Sequence, residues 1–126
     1  LYDALGDMIP PRKLSEFMAD GTIQIVPLAY MRGRTLESSC VILDEAQNTY
    51  AGQIKMFLTR MGRDSKFIVT GDATQVDLPN KADSGLLKAM KLLEGVGGVS
   101  VIRFTNEDIV RHPLVTKIVK AFENIG

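Results

Sequence analysis

The chain has 126 residues, 45% apolar and 24% charged, and its 15 basic and 15 acidic side chains cancel. That length is one domain's worth and enough to bury a core, while the balanced charge excludes bulk attraction to nucleic acid or an anionic membrane, so any such binding needs a local patch. A single cysteine, Cys40, excludes a disulfide framework and suits a reducing cytoplasm, and no apolar run approaches the ~20 residues that cross a bilayer or reads as a signal peptide.

Leu1, Leu5 and Met8 recur at helical spacing, and Pro10-Pro11 stop that helix. It opens without a capping residue, as the middle of a helix would, so a longer parent chain is expected. Pro11 starts a second helix, PRKLSEFMAD, with Leu14, Phe17 and Met18 on one face and Gly21 ending it. Four apolar runs lack a clean polar face: IQIV (23–26), CVILD (40–44), KFIVTG (66–71) and VSVIRF (99–104). Such runs predict strands covered on both faces, with Cys40 a small buried side chain at the head of the second.

Between the second and third runs, AGQIKMFLTRM sets Ile54, Phe57, Leu58 and Met61 at i, i+3, i+4 and i+7, an amphipathic helix. SGLLKAMKLL is patterned similarly before GVGG turns the chain. Strands alternating with helices predict a parallel sheet built by right-handed crossovers. After Phe104, Asn106 resembles a helix cap, and Pro113 opens a last helix, PLVTKIVKAF. No repeat, low-complexity tract or linker interrupts the chain. The expected architecture is α/β, a three-layer parallel sheet with flanking helices, in one domain over residues 1–126.

Ligands of open parallel sheets bind beyond the carboxyl ends of the strands. Two of the runs end there in acids: VILDE in Asp44 and Glu45, and IVTGD in Asp72 behind Gly71. Each is trailed by a glutamine, Gln47 and Gln75. Acids after strands also cap helices or meet water, but two acidic tips on consecutive strands fit chemistry better. Neighbouring strand residues point oppositely, so one carboxylate can hold a magnesium shell while the next reaches a water. Magnesium keeps several waters and uses one or two carboxylates plus phosphates, and phosphoryl transfer needs a group that orients the attacking water. Asp44 suits the first role and Glu45 the second.

Four apolar residues followed by Asp-Glu are the Walker B element of P-loop NTPases. Together with PLAYMRGRTL, ILDEAQN, KMFLTR, VTGDATQVDLP and RHPLVTKIVKAFE, they make the chain resemble the C-terminal half of a PhoH-like ATPase domain over nearly its whole length. The resemblance implies a cytoplasmic ATP-binding protein with a RecA-like core, similar to the first motor domain of superfamily 1 helicases. Some such proteins carry a ribonuclease-type domain and act on RNA. Carried over by position, Asp44 is the magnesium acid and Glu45 the catalytic base. Gly71, Asp72 and Gln75, in GDATQ, match the motif whose glutamine senses the γ-phosphate. An amide can donate to a phosphate oxygen and accept from water; outside that frame Gln75 reads as a solvated loop residue. The implied cofactors are ATP and Mg2+, and RecA-like relatives imply a homo-oligomer.

The other half of such a site is a phosphate-cradling G-x-x-x-x-G-K-[ST] loop. None of the 11 glycines begins that pattern; GRDSK at 62–66 comes nearest and lacks the second glycine. Family members place the loop upstream of the position of Leu1, on a strand between those equivalent to 67–70 and 101–104. These residues alone are therefore expected to hydrolyse ATP poorly.

Arg32 and Arg34 flank Gly33, which lets the backbone present both guanidiniums to one anionic partner. The resemblance places them where helicase-like proteins touch nucleic acid backbone, which makes RNA the implied partner; a solvated loop is the plainer reading. Arg60, late on a helix, reads as structural. Arg111, ahead of the last helix, either stabilises transferring phosphoryl charge or anchors that helix. His112 reads as a cap or contact residue, and one histidine with one cysteine cannot close a zinc site. Two other functions use the same acids: a metal-dependent nuclease on Asp44, Glu45, Asp72 and Asp77, and a receiver-type phosphoacceptor module. The latter wants a lysine after the last strand, where Thr105-Asn106 stand.

Overall fold

Helix start and stop signals are local, and in the computed structural model, which describes residues 1–125, they act where the sequence puts them. The side chain of residue 106 lies outside the described set, and the helix-cap expectation for Asn106 with it. Helix α1 spans Tyr2–Met8 and ends ahead of the proline pair. Helix α2 spans Pro11–Ala19 with proline in its first turn, and Gly21 sits just past it at φ 81°, the left-handed conformation that closes helices. Leu14 is the residue α2 buries.

Helix α3 covers Ala51–Leu58. Gln53 Oε1 accepts the Tyr50 amide at 2.9 Å, satisfying one donor at its start. Ile54 and Phe57 are both 2% exposed, and burying each contributes about 1.5–3 kcal/mol. The helix stops short of Met61, contrary to the periodicity. Thr59 Oγ1 bonds back to the Lys55 and Met56 carbonyls at 2.8 and 3.0 Å, an arrangement that competes with helix continuation. Met61 then forms an isolated parallel bridge with Leu36 and stays half exposed. Helix α4 covers Gly85–Leu93.

The sheet has two parallel strands, β1 (Cys40–Leu43) and β2 (Lys66–Val69), joined by α3 as the crossover, with Cys40 opposite Lys66 and Leu43 opposite Val69. Leu43 and Val69 pack on a core of Ala46, Ile54 and Leu86, with Leu58, Ala89 and Met90 around it. Phe57 and Phe67 add a tilted ring pair with centroids 5.1 Å apart. The other two predicted strands do not form. Residues 23–26 are irregular; the Ile23 amide bonds to the Phe17 carbonyl of α2 rather than into a ladder, and the segment lines, with β1, a groove of about 410 Å³. A strand is made by its neighbour, and a run of apolar residues does not supply one.

The expectation that both sheet faces are covered is also corrected for β1. Its residues alternate between exposed and half-buried, leaving Cys40 exposed and Ile42 43% exposed. Alternation puts Cys40 and Ile42 on one face and Val41 and Leu43 on the other. Cys40 is therefore not the buried side chain expected.

Residues Leu1–Leu93 form one compact unit and Glu94–Gly126 a second. In the second, residues 99–104 are irregular, with Ile102 and Phe104 exposed, because among its described residues there is no strand to pair with. A 3-10 turn at Asn106–Asp108 leads to helix α5, Pro113–Glu123. His112 caps α5: its Nδ1 accepts the Leu114 amide at 3.0 Å. No helix among the described residues is long and apolar enough to cross a membrane.

Candidate functional site

Because Leu43 pairs with Val69, the two strands end level, and the residues just beyond them meet. The Thr70 hydroxyl donates to Asp44 Oδ1 at 2.8 Å. Main-chain bonds carry the pairing on, from Thr70 N to the Leu43 carbonyl and from Ala46 N to the Thr70 carbonyl, both 2.9 Å. Asp44 stays exposed.

Glu45 then takes a left-handed conformation, φ 55° and ψ 41°. A residue with a Cβ pays about 1–3 kcal/mol for such strain and keeps it only where neighbours impose it. The turn sends the following 3-10 segment, Ala46–Asn48, inward, so that Ala46 is fully buried and Gln47 is 2% exposed. Glu45 itself remains exposed, with Oε2 accepting the Gln47 side-chain amide at 2.6 Å.

Gln47 also reaches the second acidic tip. Its Oε1 accepts the Asp72 main-chain amide at 3.1 Å, and its carbonyl accepts the Ser84 hydroxyl at 2.8 Å. Gly71 makes this approach feasible. A Cβ there would stand 2.9 Å from Gln47 Oε1 and 2.6 Å from Leu86 Cδ2. Asn48 Oδ1 accepts the Asp77 amide at 2.7 Å, and the Thr49 carbonyl accepts the Gly85 amide at 2.5 Å. Gln47, Asn48 and Thr49 thus fasten both ends of the loop 71–84.

Within that loop Asp72 Oδ1 accepts the Thr74 hydroxyl at 2.6 Å and the Thr74 amide at 2.8 Å. The hydroxyl bond first, and the amide bond after it, hold the Asp72 carboxyl below its ordinary value. Gln75 is exposed and its main-chain N–H donates to the Asp72 main-chain carbonyl at 3.1 Å. Beyond the strand tips, Asp44 is thus bonded to Thr70, Glu45 and the Asp72 main chain share Gln47, Gly71 borders that amide, and Gln75 joins only through its main-chain N–H.

The arginines are placed otherwise. Arg32 and Arg34 are exposed around Gly33, which has φ 79°, after the 3-10 turn Leu28–Met31. Among the described residues no hydrogen bond or ion pair ties them to the strand-tip acids. Arg60 is half buried, with Nη2 3.3 Å from Thr59 Oγ1. Arg111 belongs to the second unit, where it lines a cleft of about 270 Å³ with Glu107, Thr116, Lys120 and Glu123.

The sequence did not single out Thr70 or Ser84, and marked Gln47 only as an amide trailing two acids. Thr70 reads as an ordinary strand residue, and Ser84 as the start of a helical pattern. Only the register of β1 against β2 reveals what they hold.

The family model described as "PhoH-like protein" matches residues 1–123. The chain belongs to the PhoH-like family. A PhoH-like protein of Bacillus subtilis (strain 168) is 54% identical over 123 residues, which are 98% of this chain and 39% of that protein. One from Synechocystis sp. is 55% identical over 123 residues, covering 98% of this chain and 38% of its own length. Protein PhoH of Escherichia coli (strain K12) is 50% identical over 102 residues, 81% of this chain and 29% of that protein. This PhoH-like chain thus spans about two fifths of the length of its Bacillus and Synechocystis relatives.

Proposed function

We propose that the strand-tip cluster is the magnesium-and-water side of an ATP-hydrolysing site in a partial RecA-like domain. The observation that carries this reading is the Thr70–Asp44 bond beside the Gln47-held Glu45. It sets two exposed, adjacent carboxylates at the ends of paired parallel strands, where ligands of such sheets bind.

The donor set suits magnesium. Asp44 offers one exposed hard carboxylate, oriented by a hydroxyl, and no three His, Cys, Asp or Glu side chains gather to hold a metal among the described residues. One carboxylate completed by waters and phosphate oxygens is the habit of magnesium, not of zinc. When bound, the ion would neutralise phosphate charge beside Asp44. Glu45, left with Oε1 free of the Gln47 contact, orients the attacking water and accepts its proton. Gln75 meets the γ-phosphate, and Gly71 and Asp72 shape the loop that presents it. Arg111 is the candidate for stabilising transferring phosphoryl charge, with anchoring of the last helix as its other reading, and Arg32 and Arg34 meet RNA backbone. Work on RNA in the cytoplasm as a homo-oligomer completes the proposal. These residues alone, without a phosphate-cradling loop, hydrolyse ATP poorly.

The nuclease alternative would need Asp44, Glu45, Asp72 and Asp77 to converge on metals, and Asp72 Oδ1 is already engaged with Thr74. Glu45→Gln in the full-length protein tests the proposal. Nucleotide affinity should stay within a few-fold while turnover falls by about 10²–10⁴. Turnover equal to the parent, or RNA cleavage with magnesium and no nucleotide, removes the reading.

A further inference from the structure

Of the described polar side chains, Gln47 and Ser84 are the buried ones, and Gln47 touches both acidic tips. A primary amide has one donating and one accepting edge. Here the donating edge faces the Glu45 carboxylate and the accepting edge faces the Asp72 N–H, at 2.6 and 3.1 Å. Turning the amide over would set oxygen against carboxylate and N–H against N–H. The two partners therefore fix its orientation.

We infer that Gln47 is a positioning residue: it holds the Glu45 carboxylate by one oxygen and the Asp72 main chain by its own, so that the acid and the loop bearing Gln75 move together. This rests on the hydrolytic reading of Glu45. The bond to Glu45 is charge-assisted and its donor is shielded from water, both of which strengthen it. It engages Oε2 and leaves Oε1 as the oxygen offered to a water. From Asp72 the chain of bonds runs one step further along the main chain, since the Gln75 main-chain N–H donates to the Asp72 main-chain carbonyl at 3.1 Å. A shift of Gln75 against a ligand is thereby transmitted to Glu45 through one side chain. Ser84 ties down the Gln47 main-chain carbonyl, and the missing Cβ of Gly71 leaves room for its side chain.

The test is a polarity swap in the full-length protein. Gln47→Glu keeps an acceptor for the Asp72 amide but sets a second carboxylate against Glu45. E45Q/Q47E restores a donor–acceptor pair with the polarity reversed. Q47E should lower the thermal midpoint, and E45Q/Q47E should recover most of that loss. For MgATP hydrolysis, Q47E should lower kcat about 10–100-fold with KM within about twofold, because Gln47 is buried beneath Glu45 and the loop. Additive effects on the midpoint, or a KM that moves as far as kcat, overturn the inference. Recovered stability in the double variant with a kcat for Q47E equal to the parent also overturns it, leaving the amide as a fold element. Recovered stability with no MgATP hydrolysis by the parent is distinct: it removes the hydrolytic reading itself, and the positioning role with it.

Discussion

The Thr70 hydroxyl and the Asp44 carboxylate, 26 residues apart in sequence, lie 2.8 Å apart where two parallel strands end together. The bond occupies one carboxylate oxygen and fixes the plane in which the other is presented. An aspartate at a solvent-facing strand end would otherwise sample several rotamers. Oriented, it is a ligand with a direction.

Thr70→Val keeps the shape and removes the donor. Both partners are exposed, so stability should change by no more than about 1 kcal/mol. The half-saturating magnesium concentration for ATP hydrolysis should rise about tenfold, the usual scale for losing a group that orients a metal ligand. An unchanged magnesium requirement would show that Thr70 does not aim Asp44.

Gly71 and Gly52 predict opposite signs for the same substitution. Gly71→Ala drives a methyl against Leu86 and the Gln47 side chain, and should cost about 1–3 kcal/mol of overpacking. Gly52 lies in α3, where a methyl group in place of its hydrogen would meet nothing within 4 Å, so Gly52→Ala should gain about 0.5–1 kcal/mol from helix propensity. Urea midpoints of the two variants measure both. Equal shifts would mean the loop at Gly71 relaxes freely.

The depressed pKa of Asp72 has a sign in stability. A carboxyl whose folded value lies below its ordinary 3.8 contributes stability above that value and loses it as pH falls through the folded value. Asp72→Asn should therefore melt below the parent at about pH 7, with the difference closing as pH falls through the folded value. A gap that persists in acid would assign the effect to something other than the charge.

Arg32 and Arg34 supply a salt-dependence test. If both touch single-stranded RNA phosphates, Arg32→Ala with Arg34→Ala should reduce the slope of log K against log salt by roughly 1.4. Affinity should fall similarly for unrelated sequences. An unchanged slope leaves these residues as a solvated loop.

The helices and the acid-bearing tips were legible in the sequence because their signals are local. Pro11, Gly21 and Pro113 mark ends that the chain cannot ignore, and Ile54 with Phe57 mark the buried face of α3. The strands were half legible. Residues 40–43 and 66–69 pair because α3 returns the chain beside itself, whereas 23–26 and 99–104 are similarly apolar and form no ladder. Composition states a willingness to pair; it does not name the neighbour.

Within the candidate site, Asp44 and Glu45 stand out in the sequence because two consecutive apolar runs end in acids. Gln47 does not, since an amide just past a strand ordinarily faces water, and here the left-handed turn at Glu45 carries it inside. Gly71 was legible as part of a motif, but its physical role is space for Gln47 and Leu86.

The hydrogen bonds that set Asp44, Glu45 and Asp72 all close between residues 44 and 84, across separations of 2, 25, 26 and 37 residues. Ring closure over such spans costs only slightly more than over a short hairpin, because the entropy grows with the logarithm of length. The acid cluster is thus a contiguous cassette, a β–α–β stretch with its following loop, that a recombination event could move between proteins without dismantling it.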